Sequence, residues 1–92
     1  MTLPYNPLIG DSVTISALGS VVHGVVVGLI ARHDWVVNKD GRFPPGEYAA
    51  VRRLDGWQGE YPLNFVHPCR NLIALWKLRN LRKQLTTEGI LQ

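Results

Sequence analysis

Apolar and polar residues alternate along the first two thirds of the chain and change to a helical rhythm in the last third. Over residues 12–16, Val13 and Ile15 alternate with Ser12, Thr14 and Ser16, the period of two expected of a strand with one buried face. The longest apolar stretch, residues 21–31, is rich in Val and broken by His23, and with Arg32 it makes the segment 21–32. Side chains branched at Cβ pack well on a pleated surface, so this run is read as the main core strand. Gly24 and Gly28 stand four apart in it, on one face, where a small sheet can bend sharply or two backbones can approach closely. Residues 35–37, 47–54 and 58–65 read as further strands. They are separated by the turn Asn38-Lys39-Asp40-Gly41, the rigid loop Arg42-Phe43-Pro44-Pro45-Gly46 and the turn Asp55-Gly56. Five short strands with turns this close together predict a mostly β fold, a small five-stranded barrel.

From Asn71 the rhythm changes. Its side chain is suited to accept a backbone N–H from the first turn of a helix, and Pro68 just ahead cannot continue a strand ladder. At 100° per residue, Ala74, Leu78, Leu81 and Leu85 fall on one arc with Leu75 beside it, while Lys77, Arg79, Asn80, Arg82, Lys83 and Gln84 occupy the rest. The first turn, with Leu72, Ile73, Leu75 and Trp76, is apolar nearly all round and is expected to be pinned against the barrel. Gly89 is the expected stop, with the last three residues frayed. At the other end, Pro4 and Pro7 around Tyr5 predict an extended arm. The chain therefore divides into an arm (residues 1–9), a barrel (10–69) and a C-terminal basic amphipathic α-helix (70–88).

Composition and charge sharpen this picture. Ninety-two residues make one domain, and 46% hydrophobic against 18% charged residues is the balance of a folded chain, not a disordered one. The single cysteine, Cys69, excludes an internal disulfide, so the core alone must hold the fold. The N-terminus has no basic stretch leading into an apolar one, and no apolar run is long enough to span a bilayer; a cytoplasmic protein without a membrane partner is expected. The net charge of +3 is unevenly placed. Residues 1–69 hold five Lys/Arg against six Asp/Glu, whereas Arg70, Lys77, Arg79, Arg82 and Lys83 face only Glu88 in the remainder.

The most specific pattern is Asp55-Gly56-Trp57-Gln58-Gly59-Glu60-Tyr61-Pro62-Leu63-Asn64-Phe65-Val66. It resembles the end of Src-homology-3 (SH3) domains, where a D-G-x-x-G-x-aromatic-P-x-N-aromatic-V run closes the barrel. Gly10-Asp11-Ser12-Val13-Thr14-Ile15 resembles the strand that follows the first long loop in the same family. The resemblance implies an SH3-like barrel and a proline-rich ligand in the polyproline II form, docked on aromatic ridges. By the motif match, Pro62, Asn64 and Phe65 would sit at that surface, Phe65 replacing the usual tyrosine. Where the family carries an exposed tryptophan upstream, this chain has Ala49, Ala50 and Val51, and the A-L-Y-D-Y opening is absent. Two relatives of the barrel are also similar. Gly10-Asp11, Val13 and Gly24-Val25-Val26 resemble the short KOW-type barrels of ribosomal and transcription proteins. Tyr48-Ala49-Ala50-Val51 followed by Tyr61-Pro62-Leu63 resembles the small plasmid-borne dihydrofolate reductases, which are tetrameric barrels; their V-Q-I-Y run is here Gln58-Gly59-Glu60-Tyr61, so their catalysis does not carry over.

Candidate chemistry is sparse. His67-Pro68-Cys69 is the one adjacent pairing of a nucleophile with a base, and the plainer reading is a surface histidine and a semi-buried cysteine at a strand–helix junction. His23, His33, Asp34, His67 and Cys69 lack the paired close spacing of a structural zinc site, so neither metal nor cofactor is expected. Trp57, in the Asp-Gly turn, is the expected exposed contact residue. The expected function is a non-enzymatic binding module: a protein–protein adaptor, small inhibitor or accessory protein. It would use the barrel rim (Trp57, Tyr61, Pro62, Asn64, Phe65) and the leucine face of the helix (Leu78, Leu81, Leu85), binding a protein partner or a second copy. One alternative is a nucleic-acid-associated protein that meets phosphates with Arg70, Lys77, Arg79, Arg82 and Lys83. A further alternative is an oligomeric barrel enzyme of the reductase kind.

Overall fold

The computed structural model describes residues 5–17, 19–38 and 41–91. Residues 1–4 of the expected arm, Leu18, Lys39 and Asp40 in the expected turns, and Gln92 lie outside the described residues. The fold is mostly β with one C-terminal helix. In chain order it comprises β1 (Ser12–Ala17), β2 (Ser20–Arg32), β3 (Val36–Asn38), β4 (Gly41–Phe43), β5 (Gly46–Arg53), β6 (Gln58–Pro62), a 3-10 turn (Leu63–Phe65), β7 (Val66–Pro68) and α1 (Leu72–Thr87).

Five strands form one antiparallel sheet in the order β6-β5-β2-β1-β7, and β3 pairs with β4 as a separate ribbon. This departs from the expected strand set in three places. The expected strand at 58–65 ends at Pro62, which is followed by the 3-10 turn; Val66 then starts a new strand opposite Ile15. Pro68 is tolerated in β7 because that strand lies at the sheet edge, where a missing N–H costs no ladder bond. The strand expected at 35–37 joins not the sheet but a ribbon with β4, formed by part of what read as a rigid loop. That ribbon carries Phe43 into the core, where its ring meets Tyr61 edge-on at 6.4 Å and Phe65 at 5.5 Å between centroids. The Gly10-Asp11 segment leads directly into β1, the first strand of the described chain, and not into a strand after a long loop.

The sheet cannot be flat. Across five strands the outer pair would stand about 19 Å apart at the usual spacing of about 4.8 Å. Yet β6 and β7 are those outer strands, and only Leu63–Phe65 separates them. Four residue steps reach at most about 14 Å extended, and about 8 Å at the rise of a 3-10 turn. The sheet must therefore curl to bring its edges together. In β2 the register against β5 shifts between Val26 and Gly28, an irregularity of the kind that lets a strand bend. Beside the shift, a Cβ placed on Gly24 would lie 2.6 Å from the Arg52 carbonyl oxygen and collide with Val51 Cγ1. Here the two backbones approach as only glycine allows.

Alternate side chains of β2 feed two apolar clusters. Val26 joins Val13, Ile15, Tyr48, Ala49, Val51, Tyr61 and Val66 on the inner face of the sheet. Val25 faces the other way, against Cys69, Ala74, Leu78, Leu85 and Leu91. Thus α1 lies along the outside of the sheet. Asn71 caps it, Oδ1 accepting the Ala74 N–H at 2.9 Å. Its other end closes on Gly89 at φ +82°, with Gly89 N–H donating to Thr86 O and Ile90 N–H to Leu85 O. That closure carries Leu91 into the helix–sheet cluster, so the tail through Leu91 is docked where fraying was expected. The N-terminal segment is held as well: the Tyr5 hydroxyl and the Leu8 N–H both donate to Asp11 Oδ2.

Candidate interaction surface

The β5–β6 hairpin presents Trp57 through a network centred on Asp55. The run Leu54-Asp55-Gly56 turns with Gly56 at φ +90°, and Gly56 N–H donates to Arg53 O. Asp55 Oδ1 accepts the Trp57 N–H at 3.0 Å, while Oδ2 accepts Arg53 Nη2 at 2.7 Å. The Arg53 guanidinium is buried, and its Nη1 also donates to the Tyr61 hydroxyl at 3.2 Å. A buried cation needs such partners, because its desolvation is costly unless charge and hydrogen bonds replace water. Asp55 thereby couples a core residue to the tip, and Trp57 stands 48% exposed.

Along the outward side of β6, Glu60 separates two clefts of about 430 Å³ each. Trp57, Val37 and Ala50 line one; Trp35, His33 and Asp34 line the other. Arg32 Nε and Nη2 donate to Glu60 Oε1 and Oε2 at 2.6 and 2.5 Å. These bonds hold the Glu60 carboxyl below the usual carboxylate range, partial burial opposing them. The Asn38 side chain donates to Glu60 O and ties β3 to the β6 edge. Arg42 lies 4.5 Å over the Trp35 ring.

The helix sorts its residues sharply. Leu78 and Leu85 are fully buried and Leu81 is half-buried, so the leucine seam expected to meet a partner faces the sheet instead. Val25 and Val27 supply the surface that covers it. The first turn does the reverse of what was expected: Leu72, Ile73 and Trp76 are 81%, 70% and 64% exposed. Arg70, Lys77, Arg79, Arg82 and Lys83 are all exposed. Arg82 reaches back to donate to Gly10 O at 3.3 Å. Among the described residues, the other four form no ion pair. The basic set is thus displayed as the sequence indicated. Leu72, Trp76, Arg79 and Lys83, spaced 4, 3 and 4, share the side of α1 facing away from the sheet.

The rim residues do not come together as one surface. Trp57 and Asn64 are exposed, Phe65 is half-buried against Phe43, and Pro62 is buried. Tyr61, at 1% exposure, is a core residue. The reason lies in strand alternation: Gly59 and Tyr61 face inward and Gln58 and Glu60 outward. The SH3-type ligand ridge implied by Pro62, Asn64 and Phe65 is correspondingly not an exposed set of three.

The structure also makes one pairing the sequence did not indicate. Cys69 Sγ lies 3.7 Å from His23 Nδ1, which shares a 2.8 Å hydrogen bond with the Thr14 hydroxyl. His67, the neighbour in sequence, is exposed and stands opposite Thr14 from the other side. Cys69 is buried beneath α1. Only the strand register, which pairs Thr14 with both histidines, could have revealed this arrangement. Among the described residues, no three His, Cys, Asp or Glu side chains are grouped to hold a metal ion. Compared with protein-family models, with curated proteins and with solved structures, the chain matches none.

Proposed function

We propose that the chain is a non-enzymatic protein-binding module, an SH3-like barrel that serves as scaffold for an externally docked helix. The barrel is supported by the strand order β6-β5-β2-β1-β7 and by the three-residue link between its outer strands. One observation carries the binding role. With its leucine seam already covered by the sheet, α1 still exposes Leu72, Ile73 and Trp76 together. An isolated domain gains nothing by holding three large apolar side chains in water, whereas a partner that covers them gains their burial. Trp57, clamped by Asp55, is a second exposed anchor of the residue type that dominates binding energies.

The test is affinity capture with the immobilised full chain, comparing wild type with Trp76→Ala and Trp57→Ala by quantitative mass spectrometry. Protein retained by the wild type and lost from the Trp76 variant, with an unchanged melting temperature, supports the reading. Identical protein recovery on all three baits refutes it.

A further inference from the structure

The outward stripe of α1 is asymmetric along its length: Leu72 and Trp76 occupy its N-terminal half and Arg79 and Lys83 its C-terminal half. From this we infer that the occupant of the stripe is an acidic amphipathic α-helix of another protein. It lies antiparallel to α1, with carboxylates in its N-terminal half and apolar side chains in its C-terminal half. This inference rests on the protein-binding reading above and names the chemistry of the partner.

Three observations lead to it. The first is charge: Arg70, Lys77, Arg79, Arg82 and Lys83 are exposed and face only Glu88 in this part of the chain, so a covering surface must bring carboxylates. A second copy docked helix against helix does not fit, because its own stripe would bring the same cations, Arg79 and Lys83, against these.

The second is spacing. The stripe repeats every helical turn, about 5.4 Å. A partner helix repeats at the same interval and can set a side chain against each turn. An extended strand repeats on one face about every 6.8 Å and falls out of step within three turns. The exposed apolar residues also weigh against nucleic acid, because phosphate contacts make no use of Leu72 or Ile73.

The third is direction. The carboxylates must sit opposite Arg79 and Lys83, at the C-terminal half of α1. A helix carries acidic side chains best in its first turns, where they meet the positive end of its dipole. Its N-terminus therefore lies beside the C-terminus of α1, and its apolar half falls on Leu72 and Trp76.

The experiment uses the full-length chain and three synthetic 16-residue helical peptides. One has Glu in its N-terminal half and Leu/Phe in its C-terminal half. The second has the reverse order, and the third replaces each Glu by Lys. Binding is followed by fluorescence anisotropy at two salt concentrations, alongside a random 20-base-pair DNA duplex. The inference expects the first peptide to bind about threefold or more tightly than the second, since the dipole acts at both ends. It expects negligible binding of the third. Trp76→Ala should weaken the first peptide about tenfold, as truncating an interface tryptophan does. Arg79→Gln/Lys83→Gln should remove most of its salt dependence. Equal affinity for both acidic peptides overturns the antiparallel assignment. Failure of both acidic peptides, with Trp76-dependent protein capture intact, overturns the partner chemistry and leaves the protein-binding reading standing. Duplex binding tighter than either acidic peptide, insensitive to Trp76→Ala, overturns both.

Discussion

Replacing Gly24 by alanine tests the tightest space around any described glycine. Real Cβ atoms keep at least 3.0 Å from non-bonded heavy atoms, and the new methyl would start 2.6 Å from Arg52 O. Strands β2 and β5 must separate by some tenths of an ångström at Gly24↔Arg53, or Val51 must leave its place in the inner cluster. Overpacking of this kind costs about 1–3 kcal/mol. In a domain of this size each kcal/mol lowers the melting temperature by about 4–8 °C, so the expected loss is about 4–24 °C. Gly28→Ala is the matched control in the same strand: its Cβ meets only Ala50 Cβ, at 3.6 Å, an ordinary contact. Relieved of glycine's backbone entropy, that variant should match the wild type or gain up to about 1 kcal/mol. Thermal and urea melts monitored by circular dichroism read both. A Gly24→Ala protein that melts together with Gly28→Ala would falsify the close crossing, and with it the account of how the sheet curls.

Other substitutions separate core from surface and test the polar network. Leu78→Ala should cost about 2–5 kcal/mol as a buried truncation, whereas Trp76→Ala should stay within about 0.5 kcal/mol in the free protein; the reverse order in a urea titration would mean that α1 docks by its other face. Asp55→Ala strips a partner from buried Arg53 and should cost about 1–3 kcal/mol. Arg53→Met should cost less, because it removes the buried cation as well. A smaller loss for Asp55→Ala than for Arg53→Met contradicts that network. Because Arg32 holds the Glu60 carboxyl low, its stabilisation is complete above the ordinary Glu value of about 4.3 and is lost as pH falls through the lower folded value. Accordingly, the stability difference between wild type and Glu60→Gln should be constant above about pH 6 and shrink in acid; a difference that instead grows in acid rejects the sign.

Much of the scaffold could be read from local chemistry. The Asn71 cap, the Gly89 stop, the Asp55-Gly56 turn and the glycine approach at Gly24 are each set by a few neighbouring residues, and each stands where those residues put it. What was not legible depends on distant partners. Nothing in residues 36–38 says that they pair with 41–43 and leave the fifth place in the sheet to Val66–Pro68. The helix offers two apolar surfaces, and only the location of Val25 and Val27 decides that the sheet takes Leu78 and Leu85 and leaves Leu72 and Trp76 in water. Tyr61 is a different case. Period-two alternation within Gln58–Pro62 already set it opposite Glu60, and that local signal favoured the core over the rim.

The two faces of β2 have a consequence for how binding would be detected. Val25 and Val26 are neighbours in sequence and belong to different clusters, so neither cluster can dissolve without pulling on the same backbone. The helix and the sheet are therefore expected to unfold together, in one cooperative transition. A ligand that touches only the outer side of α1 stabilises the native state of the whole chain, by about 2.7 kcal/mol at a hundredfold excess over its dissociation constant. Amide protons in the remote β5–β6 hairpin that exchange through global opening would slow by the same factor as those in the helix, making any residue of the slow core a reporter for a site it never touches.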